Sequence, residues 1–273
     1  MCIRDSDYVL SYDGKTSKYI HNYFGWDEFN QNGNIVKYSG KAFRPAICIL
    51  ICTSLSGTLE MALPPSISVE LVHNFSLIHD DIEDNDRVRR HKPTLWTIWG
   101  IPKAIITGNS ILVLGNKVLN KMLINGSTKS DLYKSQRILT ESYLKMMEGQ
   151  FLDIAFEKER KISEEKYLKM ISLKTGALIE CSVILGAIAS KTNLNEKLFK
   201  QVSSFGKNIG LLFGSFNPIH NGHVSLANFF INHRNFNQIW LIVSPLSPFK
   251  KNQIISSHDH RIAMVKLAIK NYT

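Results

Sequence analysis

The chain has 273 residues, 44% of them apolar and 21% charged, which is enough for a real core and excludes wholesale disorder. The first six residues lack a secretory apolar segment, and the most apolar stretch, 176–190, is short and carries Glu180, so no signal peptide or membrane span is expected. The formal charge is +10, for which an anionic partner, nucleic acid first, is the usual inference.

Taken in chain order, the first predicted helix covers 42–57. It holds Cys48 and Cys52 at helical spacing; with Cys2 and Cys181 they form no CxxC pair, so buried thiols and a reducing, cytoplasmic setting are expected. Pro64-Pro65-Ser66 opens a second helix, on which Leu71, Phe75, Ile78 and Ile82 make an apolar stripe. Further helices are predicted at 102–124, 130–158, 163–190 and 195–209. Then the pattern changes. Ile209 to Phe213 reads as a strand, Gly214 to Pro218 as a turn, 222–233 as a helix and Ile239 to Val243 as a second strand. Asp259 can cap a last helix carrying Ile262, Val265 and Ile269, completing a βαβ unit of a parallel sheet. Two strands do not make a stable sheet alone, so this part reads as unfinished. Residues 211–273 carry 6 basic and 1 acidic side chain, an excess of +5 that equals that of residues 1–210. Two domains, 1–210 and 211–273, follow from that shift.

His79-Asp80-Asp81-Ile82-Glu83-Asp84-Asn85-Asp86 ends the second helix and is followed by Arg87, Arg89 and Arg90. Carboxylates at a helix C-terminus oppose the macrodipole and repel one another unless a cation neutralises them. Asp80 and Asp84, at i and i+4, share a face with His73 two turns earlier. Oxygen ligands of this kind suit Mg²⁺, which completes its shell with water and substrate phosphates, and arginines grip the same phosphates bidentately. The alternative is a solvated helix end held by internal ion pairs.

The surroundings of this cluster resemble the trans-prenyltransferases, the isoprenyl diphosphate synthases, over about residues 20–210. The resemblance rests on Gly40-Lys41-Ala42-Phe43-Arg44-Pro45, Glu70-Leu71-Val72-His73 before the aspartates, Arg89-Arg90-His91-Lys92-Pro93-Thr94, Gly149-Gln150-Phe151-Leu152-Asp153 and Lys174-Thr175-Gly176. It implies an all-α helical bundle, truncated here, that joins isopentenyl diphosphate to an allylic diphosphate with Mg²⁺, in a family commonly homodimeric. Lys41, Arg44, His73 and Arg90 would bind isopentenyl diphosphate. Asp80 and Asp84 would hold Mg²⁺ with Asp81 beside them, and Asp86 could instead close a longer motif. Arg89, Lys174 and Thr175 would touch the allylic diphosphate, with Gln150 and Asp153 lining the same site. Phe75 and Ser76, five and four residues before the aspartates, resemble the pattern of C15–C20 synthases, although Phe75 also fits the core stripe. The family's second aspartate-rich motif is approached by Phe205 to Leu211, but no second DDxxD follows.

Gly214-Ser215-Phe216-Asn217-Pro218-Ile219-His220-Asn221-Gly222-His223 instead places an HxGH pair between a strand and a helix. Gly214 allows close backbone approach, the helix N-terminus offers N–H groups, and His220 and His223 can face the same phosphate. A turn with two solvent-facing histidines and a metal pair are the alternatives. The segment 208–273 resembles the HxGH nucleotidyltransferases, specifically nicotinate-mononucleotide adenylyltransferases, and implies a small α/β Rossmann-like fragment. Gly214, Ser215, His220, His223 and Lys250 would then bind ATP phosphates during adenylyl transfer to nicotinate mononucleotide. Two partial families that meet without a linker are expected of a chimeric reading frame, weakly active or inactive in either reaction; a genuine bifunctional enzyme and a non-catalytic diphosphate-binding remnant are the alternatives. The basic residues fall in diphosphate and nucleotide motifs, so no nucleic-acid partner is expected.

Overall fold

The computed structural model describes residues 12–24, 42–89, 92–156, 159 and 162–212. Lys41, Arg90 and everything from Phe213 onward, with Gly214, Ser215, His220, His223, Lys250 and the expected α/β segment, lie outside the described residues. The described part is all-α: α1 (Ser17–Phe24), α2 (Phe43–Ser54), α3 (Leu59–Glu83), α4 (Leu95–Trp99), α5 (Ile101–Leu119), α6 (Lys129–Phe156), α7 (Glu164–Ile171), α8 (Ala177–Ala189) and α9 (Glu196–Leu212). A two-residue antiparallel pair, β1 (Val88–Arg89) and β2 (Lys92–Pro93), follows α3, with Val88 opposite Pro93. A π-helical turn, Ser172–Gly176, joins α7 to α8.

The chain divides into two compact units, one from the described parts of 1–144 and 178–206, the other from those of 145–177 and 207–273. In the first, α3 is the central helix and packs against α2 and α5. Ile67, Val69, Leu71, Val72, Phe75 and Ile78 of α3 are buried, as are Cys48 and Cys52 of α2 and Cys181 of α8, which are free thiols. The run Glu165–Ala189 is long and apolar enough to cross a membrane by length and composition, but 67% of its apolar window is buried, as in a core helix.

Two sequence expectations are corrected. Pro64-Pro65 does not start α3; the helix begins at Leu59, where the Thr58 side chain accepts a hydrogen bond from the Met61 N–H at 3.4 Å. The cap fixes the start, and both proline rings are buried inside the helix, where apolar burial offsets the lost backbone hydrogen bonds. Nor do Ile209 to Leu212 begin a strand: they finish α9. Leu198, Val202, Phe205, Ile209 and Leu212 recur every three to four residues, so the helical period runs through the apolar run that looked extended.

Candidate functional site

The end of α3 explains how its carboxylates are sorted. Asn85 adopts a left-handed conformation (φ 54°), which asparagine tolerates better than most residues. The Asp86 N–H then reaches the Asp81 carbonyl at 2.9 Å and the Asn85 N–H reaches Ile82 at 3.3 Å, a Schellman ending that reverses the chain. The Asp86 carbonyl accepts from Thr94 Oγ1 at 2.8 Å and Trp96 Nε1 at 2.9 Å, which pins the returning β1–β2 segment. Arg89 on β1 is thereby delivered back to α3, where its Nε donates to Asp81 Oδ1, with Asp86 3.8 Å from Nη2.

Asp81 is only 3% exposed. Burial pushes its carboxyl up to about 6, against the opposing pull of Arg89 and with help from Asp86 and Asp84. Burial also pulls the Arg89 guanidinium down, but Asp81, by charge and hydrogen bond, together with Tyr23 and Asp80 outweighs it and holds the group above its ordinary value. Asp80 is half-buried and Asp84 exposed, one turn apart, with the Asp84 N–H on the Asp80 carbonyl at 2.8 Å. The three aspartates are therefore not equivalent: one faces inward onto an arginine, and two remain at the more solvated side of the last turn.

Two further expected residues meet at the start of α2. Ala42, the cap residue, sits at φ 46°, a strained conformation for alanine and the entry to the helix that carries Arg44. Arg44 Nη1 lies 3.2 Å from His73 Nε2; the guanidinium donates, so Nε2 accepts and the ring proton is on Nδ1. Burial lowers the Arg44 pKa, partly countered by Glu70, and among the described residues its buried Nε has no hydrogen-bond partner. An unmatched buried cationic donor of this kind fits an anionic ligand.

In the second unit, Lys174 Nζ donates to Asp153 Oδ2 at 2.5 Å. Lys174 and Thr175 lie in the π-helical turn, a feature common at functional sites. Gly149 is what permits the approach: a Cβ there would stand 2.2 Å from the Lys174 backbone nitrogen. Gln150 is half-buried on α6.

Sequence reasoning missed several groups. Asn74 donates through Nδ2 to the Glu70 carbonyl at 2.7 Å and to Glu70 Oε1 at 3.2 Å, while Tyr23 of α1 donates to Asn74 Oδ1 at 3.1 Å. Tyr23, Asn74, Asp81, Arg89 and Lys92 line a cavity of about 260 Å³. The i, i+4 spacing of Glu70 and Asn74 was a usable signal; Tyr23 gave none. Tyr167 is pushed up by burial and by Asp153. Phe75 is buried with its ring edge-on to His79, at 4.7 Å, and the Ser76 hydroxyl donates to the His73 carbonyl at 2.8 Å.

The model of the polyprenyl synthetase family matches residues 30–216, well over half of the sequence. The chain belongs to that family. A cytidylyltransferase-like model matches residues 211–273. The geranylgeranyl diphosphate synthase of Saccharolobus solfataricus is 37% identical over 174 residues, which are 64% of this chain and 52% of the relative. The crystal structure of a polyprenyl synthetase from Streptomyces coelicolor superposes with a TM-score of 0.69 at 25% identity, covering 98% of this chain and 82% of that one. A geranyltransferase from Helicobacter pylori, crystallised with magnesium and isoprenyl diphosphate, gives 0.64 at 26% identity, covering 78% and 70%. This polyprenyl synthetase family member spans about half the length of its first sequence relatives.

Proposed function

We propose that residues up to about 210 are built for prenyl chain elongation, condensing isopentenyl diphosphate with an allylic diphosphate towards a C15–C20 product. The observation that carries this reading is the sorted end of α3: Asp81 turned inward onto Arg89, and Asp80 and Asp84 left one turn apart. Among the described residues no group of three or more His, Cys, Asp or Glu side chains could enclose a metal. Two carboxylates fit Mg²⁺ nevertheless, because it binds through one or two of them plus water and substrate phosphates rather than in an all-protein cage. Asp80 and Asp84 would hold the ion, whose chemistry is to neutralise charge on a departing diphosphate. In the first unit Arg89 would serve a diphosphate; the second unit's own candidates for the allylic diphosphate are Lys174 with Thr175, Gln150 and Asp153. Arg44 with His73, joined by Lys41 and Arg90, would take isopentenyl diphosphate, the open Arg44 Nε supplying one donor.

Turnover is expected to be weak. Where a second aspartate-rich motif would follow α9, the sequence matches the cytidylyltransferase-like family instead, and the two matches overlap at 211–216. That match favours a second reading, in which Gly214, Ser215, His220, His223 and Lys250 bind ATP for adenylyl transfer to nicotinate mononucleotide. A chimeric frame with domains 1–210 and 211–273 accounts for both. A homodimer through the exposed apolar stripe of α6 (Leu144, Met147, Phe151 and Ile154) belongs to the same reading; Phe151 is 72% exposed. The buried free thiols fit a reducing, cytoplasmic setting.

Calorimetry with farnesyl diphosphate tests the first reading. Binding should require Mg²⁺ and be lost in Asp80→Asn with Asp84→Asn; Mg²⁺-independent or absent binding overturns it. Labelled isopentenyl diphosphate should be incorporated only slowly, and fast elongation would sink the impairment. An assay with ATP and nicotinate mononucleotide tests the second reading, and an uninterrupted genomic frame across the codons for 200–215 would remove the chimera.

A further inference from the structure

A second cavity, of about 520 Å³, lies within the first unit, where the loop after α8 meets the loop before α6. None of its lining residues belongs to the site described above. Its volume is that of an ordinary small-molecule pocket. Its lining divides by chemistry. Ile138, Ile188, Leu194 and Phe199 supply an apolar surface, and Lys134, Arg137 and Lys191 bring three cationic heads to it.

Two carboxylates also line the cavity, and both are committed elsewhere. Asp131 accepts from the Thr128 N–H at 3.0 Å and from Thr128 Oγ1 at 2.7 Å, closing the start of α6. Glu196 holds Lys200 at 2.6 Å. Arg137 has only a loose pairing with Glu141, at 3.8 Å, and among the described residues neither Lys134 nor Lys191 has a carboxylate within ion-pair distance. Lys191, although exposed, rests beside the backbone of Gly126. It is held at φ 60°, and its ammonium lies against Gly126, itself at φ 83°, where a Cβ would stand 2.8 Å from Nζ. Any side chain at 126 would therefore push that cation away from its present position.

We propose that this cavity binds an amphiphilic anion: a phosphate or diphosphate head against Lys134, Arg137 and Lys191, and a short apolar chain against Ile138, Ile188, Leu194 and Phe199. Two lysines with no carboxylate in reach among the described residues and a loosely paired arginine favour an anion, and the apolar residues beside them favour one that carries hydrocarbon. The ligand class follows from the cavity alone and does not rest on the activity proposed above. A phosphorylated isoprenoid and a lysophospholipid both supply this chemistry.

The test uses the full chain carrying Asp80→Asn and Asp84→Asn, in EDTA, so that the aspartate site does not contribute. Farnesyl phosphate, lysophosphatidic acid, inorganic phosphate and farnesol are titrated by calorimetry. Either of the first two should bind saturably and more tightly than phosphate or farnesol, and the tighter of them names the source. Lys134→Ala with Lys191→Ala should weaken that binding about ten-fold or more, as expected for losing charge-assisted contacts. Both lysines are exposed, so the double variant should keep its melting temperature, which is measured alongside. Unchanged affinity in the double variant overturns the proposal. So does equal binding of phosphate and farnesyl phosphate, or no binding of either amphiphile to a folded chain. A working or failed elongation assay bears on neither result.

Discussion

The ends of α3 and α6 each present a carboxylate bonded to a cation, yet the two pairs are built on different terms. Asp81 and Arg89 are eight residues apart and joined by a turn that the backbone itself closes, and their contact is largely removed from water. Asp153 and Lys174 are 21 residues apart and brought together by helix packing; Lys174 is as shielded as Arg89, but Asp153 keeps substantial solvent contact. A buried pair resists the loss of one partner because the other is left charged in a poor solvent; an exposed pair does not. The first pair therefore contributes to the fold, whereas the second, with its carboxylate in solvent, contributes less to it.

The sharpest way to break this contrast is Arg89→Ala. Removing the guanidinium should cost about 3 kcal/mol in urea unfolding, the low end for a buried pair because Arg89 retains some exposure. A loss well below 1 kcal/mol would place Asp81 with the solvated carboxylates. Next comes Gly149→Ala, which forces a Cβ onto the Lys174 backbone rather than onto a flexible side-chain tip. Such overpacking should destabilise by about 2 kcal/mol, and a near-neutral result would mean that the approach of α6 to the π-helical turn is loose. Lys174→Ala should cost less than about 1 kcal/mol, as exposed ion pairs do, while reducing diphosphate binding measured by calorimetry.

The last comparison is the dependence on pH. The folded state holds the Asp81 proton to about 6, while an unfolded aspartate releases it near 4. A raised carboxyl pKa means that the folded state binds the proton more tightly. This group's contribution to stability thus rises as pH falls through about 6 and is complete below about 4; above 6 the charged form bears its full burial penalty. Unfolding midpoints of the wild type and Asp81→Asn, compared across that window without Mg²⁺, should differ in slope in that direction. Parallel slopes would contradict it.

The same contrast explains what was readable beforehand. The Asp-rich end of α3, Asp80, Asp84 and the following arginines stood out because their spacing is local and helical periodicity converts it directly into shared faces. Lys174 and Asp153 were identifiable only as fragments of a resemblance; that they bond to each other is a fact of packing at Gly149. The inward turn of Asp81 depends on Asn85, whose tendency towards the left-handed region was a visible cue that went unused. The proline pair in α3 misled because proline's rules are local, whereas burial of its rings is not. At Ile209 to Leu212 consecutive apolar residues outweighed a longer helical period that was equally present.

By itself, then, the sequence determined the helical class of most of residues 42–208, the position of the acidic cluster, and the change of character near residue 210, since composition and period are properties of the chain alone. Tertiary structure decided which aspartate is withdrawn from solvent, which cation each carboxylate holds, and where Lys134, Arg137 and Lys191 converge. Those outcomes depend on burial and on contacts between distant residues, which no local spacing encodes.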